Sequence, residues 1–80
     1  MILELISSEK TVTMNDIEYI ILPAANGEMG ILNGHAPAIT IIKKGKLKFV
    51  KDSKQMNIII LNNSFAFVTP DKTTVILEEF

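Results

Sequence analysis

Polar and apolar residues alternate along most of the chain, and turn-forming pairs interrupt them every six to ten residues. A period of two puts successive side chains on opposite faces of an extended strand. Residues 2–7 are the first predicted strand, with Leu3 and Leu5 on one face. Residues 10–14 read as a half-buried strand. In residues 17–22, Ile17, Ile20 and Leu22 share a face only if a bulge intervenes near Tyr19. Pro23 lacks an N–H and is expected to end that strand. Residues 28–32 form a short strand with Met29 and Ile31 together, and residues 38–43 an apolar one. In residues 46–51 the pattern sends Lys46 and Lys48 outward and Leu47 and Phe49 inward. Residues 55–61 carry the run Ile58-Ile59-Ile60-Leu61, expected to be covered on both faces. Residues 64–69 put Phe65 and Phe67 on one side, and residues 73–78 pair Val75 with Leu77.

The pairs between strands have turn chemistry. Ser8-Glu9, Asn15-Asp16, Asn26-Gly27, Asn33-Gly34, Lys44-Gly45, Asp52-Ser53, Asn62-Asn63 and Pro70-Asp71 separate the periodic segments. Asn-Gly is the strongest of these signals, because both residues tolerate positive φ. No segment has a helical period. The expected fold is all-β: a small antiparallel β-sandwich or flattened barrel of about 8–10 short strands. It is expected to be one domain spanning residues 1–80.

Composition narrows the chemistry. The chain has 80 residues and no cysteine, which excludes disulfides, thiolate nucleophiles and cysteine-bound zinc. It has no run of about 18 apolar residues, the length a membrane-crossing helix needs. The start, Met1-Ile2-Leu3-Glu4-Leu5, lacks the features of a signal peptide. The formal net charge is −1, and all eight basic residues are lysines. Arginine, the usual fork for phosphate and guanine, is missing, and nucleic-acid binders of this size are usually more basic.

The irregular chemistry collects in Gly27-Glu28-Met29-Gly30-Ile31-Leu32-Asn33-Gly34-His35-Ala36-Pro37, which holds three of the four glycines and the only histidine. The glycine spacing G-x-x-G-x-x-x-G fits neither a dinucleotide nor a P-loop pattern. Positive φ or close backbone approach accounts for such glycines. No carboxylate stands at a motif spacing from His35, so a structural hydrogen bond or a partner contact competes with acid–base work. A lone histidine makes no metal site. Glu28 is either a contact residue at the loop or merely solvated. The one charge run is Lys43, Lys44, Lys46, Lys48, Lys51 and Lys54. It reads as a solvated hairpin face that guards an edge. Alternatively, it is the groove of a small single-stranded nucleic-acid-binding barrel, with Phe49 inside the run.

At this loop the sequence resembles the epsilon subunit of F-type ATP synthases. The resemblance rests on Leu22-Pro23, Gly27-Glu28-Met29-Gly30-Ile31-Leu32, His35-Ala36-Pro37, Ala38-Ile39-Thr40 and Lys44-Gly45. The opening Leu3-Glu4-Leu5-Ile6-Ser7 and the closing Thr74-Val75-Ile76-Leu77 extend it over nearly the whole chain. Two positions depart from the family pattern: Asn33 stands where a proline is common, and Asn62-Asn63-Ser64 replaces a glycine-rich turn.

The resemblance implies a non-catalytic rotor part in the central stalk of a proton-translocating ATP synthase. Its partners would be the gamma shaft and the membrane-embedded ring of c subunits, and it would couple proton flow to ATP synthesis. Carried over, Gly27, Glu28, Met29, Gly30 and His35 are the expected c-ring contacts, and Ser7 and Asn62 the expected gamma contacts. No catalytic residue, metal or cofactor is expected, and no nucleic acid. Membrane contact would run only through the c-ring. The implied place is the cytoplasmic face of a bacterial plasma membrane, with plastid or mitochondrial inner membranes as alternatives. The family's C-terminal helical hairpin, to which its inhibition of ATP hydrolysis is attributed, is not expected in these 80 residues.

Overall fold

In the computed structural model, residues 1–78 are described; Glu79 and Phe80 lie outside them. Nine strands follow one another: β1 (Ile2–Ile6), β2 (Thr11–Met14), β3 (Ile17–Ala24), β4 (Gly27–Leu32), β5 (Ala38–Ile42), β6 (Gly45–Lys51), β7 (Lys54–Ile60), β8 (Ser64–Thr69) and β9 (Lys72–Ile76). No helix occurs among the described residues. The strands form one curled sheet in the order β2-β1-β9-β8-β5-β3-β6-β7, with β4 pairing β3. Folded over, it makes two layers. One is β4-β3-β6-β7 and the other β5-β8-β9-β1-β2, and they meet where Ala24 pairs with Ile42.

The inward positions fuse into one core. Ile17, Ile20, Leu22, Ile31, Leu47, Phe49 and Ile60 come from the first layer. Leu3, Leu5, Ile42, Ala66, Val68, Val75 and Leu77 come from the second. The bulge that Ile17, Ile20 and Leu22 require is present, since the β3–β6 register shifts between Ile17 and Tyr19. It adds one residue to β3 and returns Ile20 to the face that Ile17 occupies.

Several expectations need correction. Pro23 does not end its strand: β3 continues to Ala24, with Pro23 opposite Glu28. A strand tolerates proline where no ladder donor is needed, and here the carbonyl carries the bond, accepting from the Lys43 N–H at 2.8 Å. The sheet is not wholly antiparallel, because β1 and β9 pair in parallel. These strands come from opposite ends of the chain, so a long crossover joins them and no hairpin constrains their direction. The run Ile58–Leu61 is not covered on both faces; Ile59 and Leu61 are exposed on and beyond the edge strand β7. The half-buried β2 is more exposed than its alternation implied, with Val12 at the surface of the opposite edge.

Candidate docking surfaces

The register sorts the turns to two ends of the sandwich. One end holds the 7–10 turn, the Ala25-Asn26 tip of the β3–β4 hairpin, Lys43-Lys44 and Asn62-Asn63. The other end holds Asn33–Pro37, Asp52-Ser53 and Pro70-Asp71. The five expected ring contacts are therefore divided. Gly27 and Glu28 open β4 at the first end, and Met29 and Gly30 follow along the strand. His35 lies past the far end of β4, a strand of about 17 Å at the usual rise per residue. The two expected gamma contacts, Ser7 and Asn62, share the end that carries Gly27 and Glu28.

The irregular loop is shaped by its glycines at two points. Gly27 has φ 117° and Gly34 has φ 89°, both in the region that side chains disfavour. The Gly34 N–H donates to the Pro70 carbonyl at 2.6 Å and the His35 N–H to the Leu32 carbonyl at 3.1 Å, which ties this turn to the β8–β9 turn. His35 Nδ1 donates to the Ala36 carbonyl at 2.7 Å. A carbonyl only accepts, so Nδ1 carries the proton and the ring is held by its own loop. That is a positioning bond, not an acid–base pair.

Glu28 is exposed and its Oε2 accepts from Lys48 Nζ at 3.3 Å. Lys48 is thus partly engaged by a carboxylate. Phe49 is buried on the opposite face, where no base could stack on it. The reading of the Lys43–Lys54 hairpin as a nucleic-acid groove is not supported, because such grooves need exposed aromatic platforms and Phe49 is not one. Among the described residues no cluster of three His, Asp or Glu side chains could hold a metal.

The feature that alternation alone does not disclose is the outer face of β5, β8 and β9. Ile39 is 73% exposed, Ile41 53%, Phe65 52%, Phe67 38% and Ile76 42%. Register makes these neighbours: Ile39 faces Phe67, Ile41 faces Phe65, and Phe65 faces Ile76. Behind them, the inward positions of the same strands mix small and large residues, with Ser64, Ala66, Val68, Ile42, Thr73 and Val75 buried and Ala38 and Thr40 half-buried. Large apolar residues on the outer face depart from the usual order of such a sheet, in which the face away from the core is polar. An open hollow of about 490 Å³ lies among Pro37, Ile39 and Phe67 on this face. Toward β1 the face turns polar: Glu4 accepts from Lys72 at 3.1 Å and from Thr13 and Thr74 at 3.5 Å. The apolar patch therefore has a polar border, the anatomy of a protein-binding surface.

Comparison with known proteins decides the family. A model described as the ATP synthase, Delta/Epsilon chain, beta-sandwich domain matches residues 1–80. The chain belongs to this family. The ATP synthase epsilon chain of Lawsonia intracellularis is 41% identical over 76 residues, covering 95% of this chain and 56% of that protein. That of Granulibacter bethesdensis is 31% identical over 77 residues, covering 96% of this chain and 57% of that protein. The chain thus spans little more than half the length of these relatives. The fold is shared with a chain in the Euglena gracilis mitochondrial ATP synthase (OSCP/F1/c-ring, rotational state 1), with TM-score 0.85 at 22% identity. That match covers 96% of this chain and 49% of that one. A chain in the Tetrahymena thermophila mitochondrial ATP synthase central stalk and c-ring matches with TM-score 0.78 at 12% identity, covering 98% and 63%. Family membership agrees with the resemblance read at the glycine loop. The apolar outer face had no such signal, because Ile39-Thr40-Ile41 reads equally well with the isoleucines inside.

Proposed function

We propose that this chain is a non-catalytic rotor part of an F-type ATP synthase. It joins the gamma shaft to the c-ring and so couples proton flow to ATP synthesis. The observation that carries this reading is the outer face of β5, β8 and β9, an apolar surface with a polar border on a domain of the epsilon family. On this reading the gamma shaft covers that face. Ser7 and Asn62 flank it at the end shared with the hairpin tip. Gly27 and Glu28, with Met29 and Gly30 behind them, meet the polar loops of the c-ring. His35 shapes its turn at the other end and is set aside as a ring contact. The chain is peripheral, touching the membrane only through the ring, at the cytoplasmic face of a bacterial plasma membrane. A compact curled sheet suits a part that transmits torque and makes or breaks no bond.

The test is reconstitution of the chain with its gamma subunit and c-ring. The expected result is a stable complex with gamma, and loss of coupled synthesis when Glu28→Lys reverses the charge at the hairpin tip. Failure to bind gamma would overturn the rotor assignment. Full coupling with Glu28→Lys would overturn the ring contact.

A further inference from the structure

Among the described residues nothing covers the outer apolar face of β5, β8 and β9. We propose that a second copy of this chain covers it when gamma is absent, in a weak face-to-face dimer that gamma must displace. The displacement rests on the assignment of this face to gamma; the dimer rests only on the exposed surface.

The five large apolar side chains of the face are 38% to 73% exposed. At roughly 150–200 Å² for each when fully exposed, they offer about 400–500 Å² per copy. Two copies would bury about 800–1,000 Å² before the polar border is counted, the low end of specific interfaces and the range of weak, reversible pairs.

The face also fits itself. Register sets its side chains in rows across the three strands. One row is Ile41, Phe65 and Ile76, all large. The next is Ile39, Phe67 and Thr74, ending on a short side chain. Beside this second row lies the open hollow of about 490 Å³ among Pro37, Ile39 and Phe67. A twofold axis in the plane of contact, running across the strands between the two rows, lays the large row of one copy on the hollow side of the other. Each strand then lies over its own counterpart, so the sheets pack aligned. The contact is isologous and closes at two copies.

Charges agree with the same axis. Lys72 stands one row beyond Thr74, and exposed Glu78 one row beyond Ile76. The axis brings Glu78 of each copy over Lys72 of the other. Lys72 already pairs with Glu4 at 3.1 Å but keeps 42% of its side chain exposed, so it can meet a second carboxylate. Lys43, at the other end of the Glu78 row, meets Pro37, and no like charges are opposed.

The experiment is sedimentation equilibrium of the purified 80-residue chain, from low micromolar to hundreds of micromolar. The expected result is a reversible monomer–dimer equilibrium with dissociation in the micromolar range. An isologous pair loses each substituted contact twice, so the effect on a partner met once is squared. Ile39→Ala should therefore weaken the dimer by about 40-fold or more. Glu78→Lys should weaken it by about fivefold or more at low salt. Ile59→Ala, on the opposite layer, should leave it unchanged, and urea midpoints confirm that each variant folds. A chain that stays monomeric throughout would overturn the proposal. So would a dimer that either Ile39→Ala or Glu78→Lys weakens no more than Ile59→Ala does. In a second arm gamma is added, and the dimer should give way to a one-to-one complex. If the dimer behaves as expected but gamma binds it intact, displacement and the gamma assignment fail while the dimer stands. If the chain is monomeric but Ile39→Ala weakens gamma binding, the dimer fails and the gamma assignment stands.

Discussion

Replacing Ile39 by alanine separates the cost of folding from the cost of docking. Ile39 is 73% exposed, so roughly a quarter of its surface is buried in the chain alone. Complete burial of an isoleucine is worth about 1.5–3 kcal/mol. The substitution should then cost about 0.4–0.8 kcal/mol of folding stability. The remaining three quarters would be buried only against a partner, about 1.1–2.2 kcal/mol. That is about a 6- to 40-fold weaker dissociation constant for gamma. Ile20, fully buried, supplies the contrast: Ile20→Ala should cost about 2–5 kcal/mol of stability through transfer and cavity terms together. The assay pairs urea unfolding of each variant with calorimetric titration against the gamma subunit. Ile39→Ala binding within twofold of the original would refute the assignment of this face. So would a stability loss as large as that of Ile20→Ala, since Ile39 would then be a core residue.

The β6–β7 hairpin turns through Asp52 and Ser53, both at positive φ (52° and 62°). Ser53→Gly removes that strain and should stabilise the chain by about 0.5–1 kcal/mol, seen as a higher urea midpoint; a lower midpoint would contradict it. Gly34 at φ 89° is the converse case: Gly34→Ala should destabilise by about 1–2 kcal/mol in the same assay, although no atom obstructs the added carbon. Glu28→Gln breaks an exposed ion pair with Lys48 and should change stability by less than about 1 kcal/mol, so that any loss of coupling it causes is a contact effect. Oligonucleotide titration at low salt should show no more binding for the original chain than for Lys46→Gln with Lys48→Gln.

The strands and the core were legible because most inward positions follow simple alternation. The Tyr19 bulge was legible for the same reason, since only an added residue could bring Ile17 and Ile20 together. Three things were hidden. Pro23 stays in its strand because its carbonyl is what Lys43 needs, and sequence does not say which neighbour a residue faces. The parallel β1–β9 pair is a long-range choice that no local signal encodes. The outer apolar face was hidden because Ala38-Ile39-Thr40-Ile41-Ile42 is apolar at nearly every position, so alternation does not say which isoleucines face the core. Register with β8 turns Ala38, Thr40 and Ile42 toward the core. The glycine loop carried the family through its residue identities. Its division between two ends of the sandwich followed only from pairing.

The central claim is that the gamma shaft covers the outer face of β5, β8 and β9. A photoreactive residue placed at Ile39, and separately at Ile59 on the opposite layer, tests it most directly in the assembled complex. Both positions are exposed, so neither probe should disturb the core. The account predicts that the probe at 39 crosslinks to gamma and the probe at 59 does not. Crosslinking to gamma from 59 and not from 39 would contradict it.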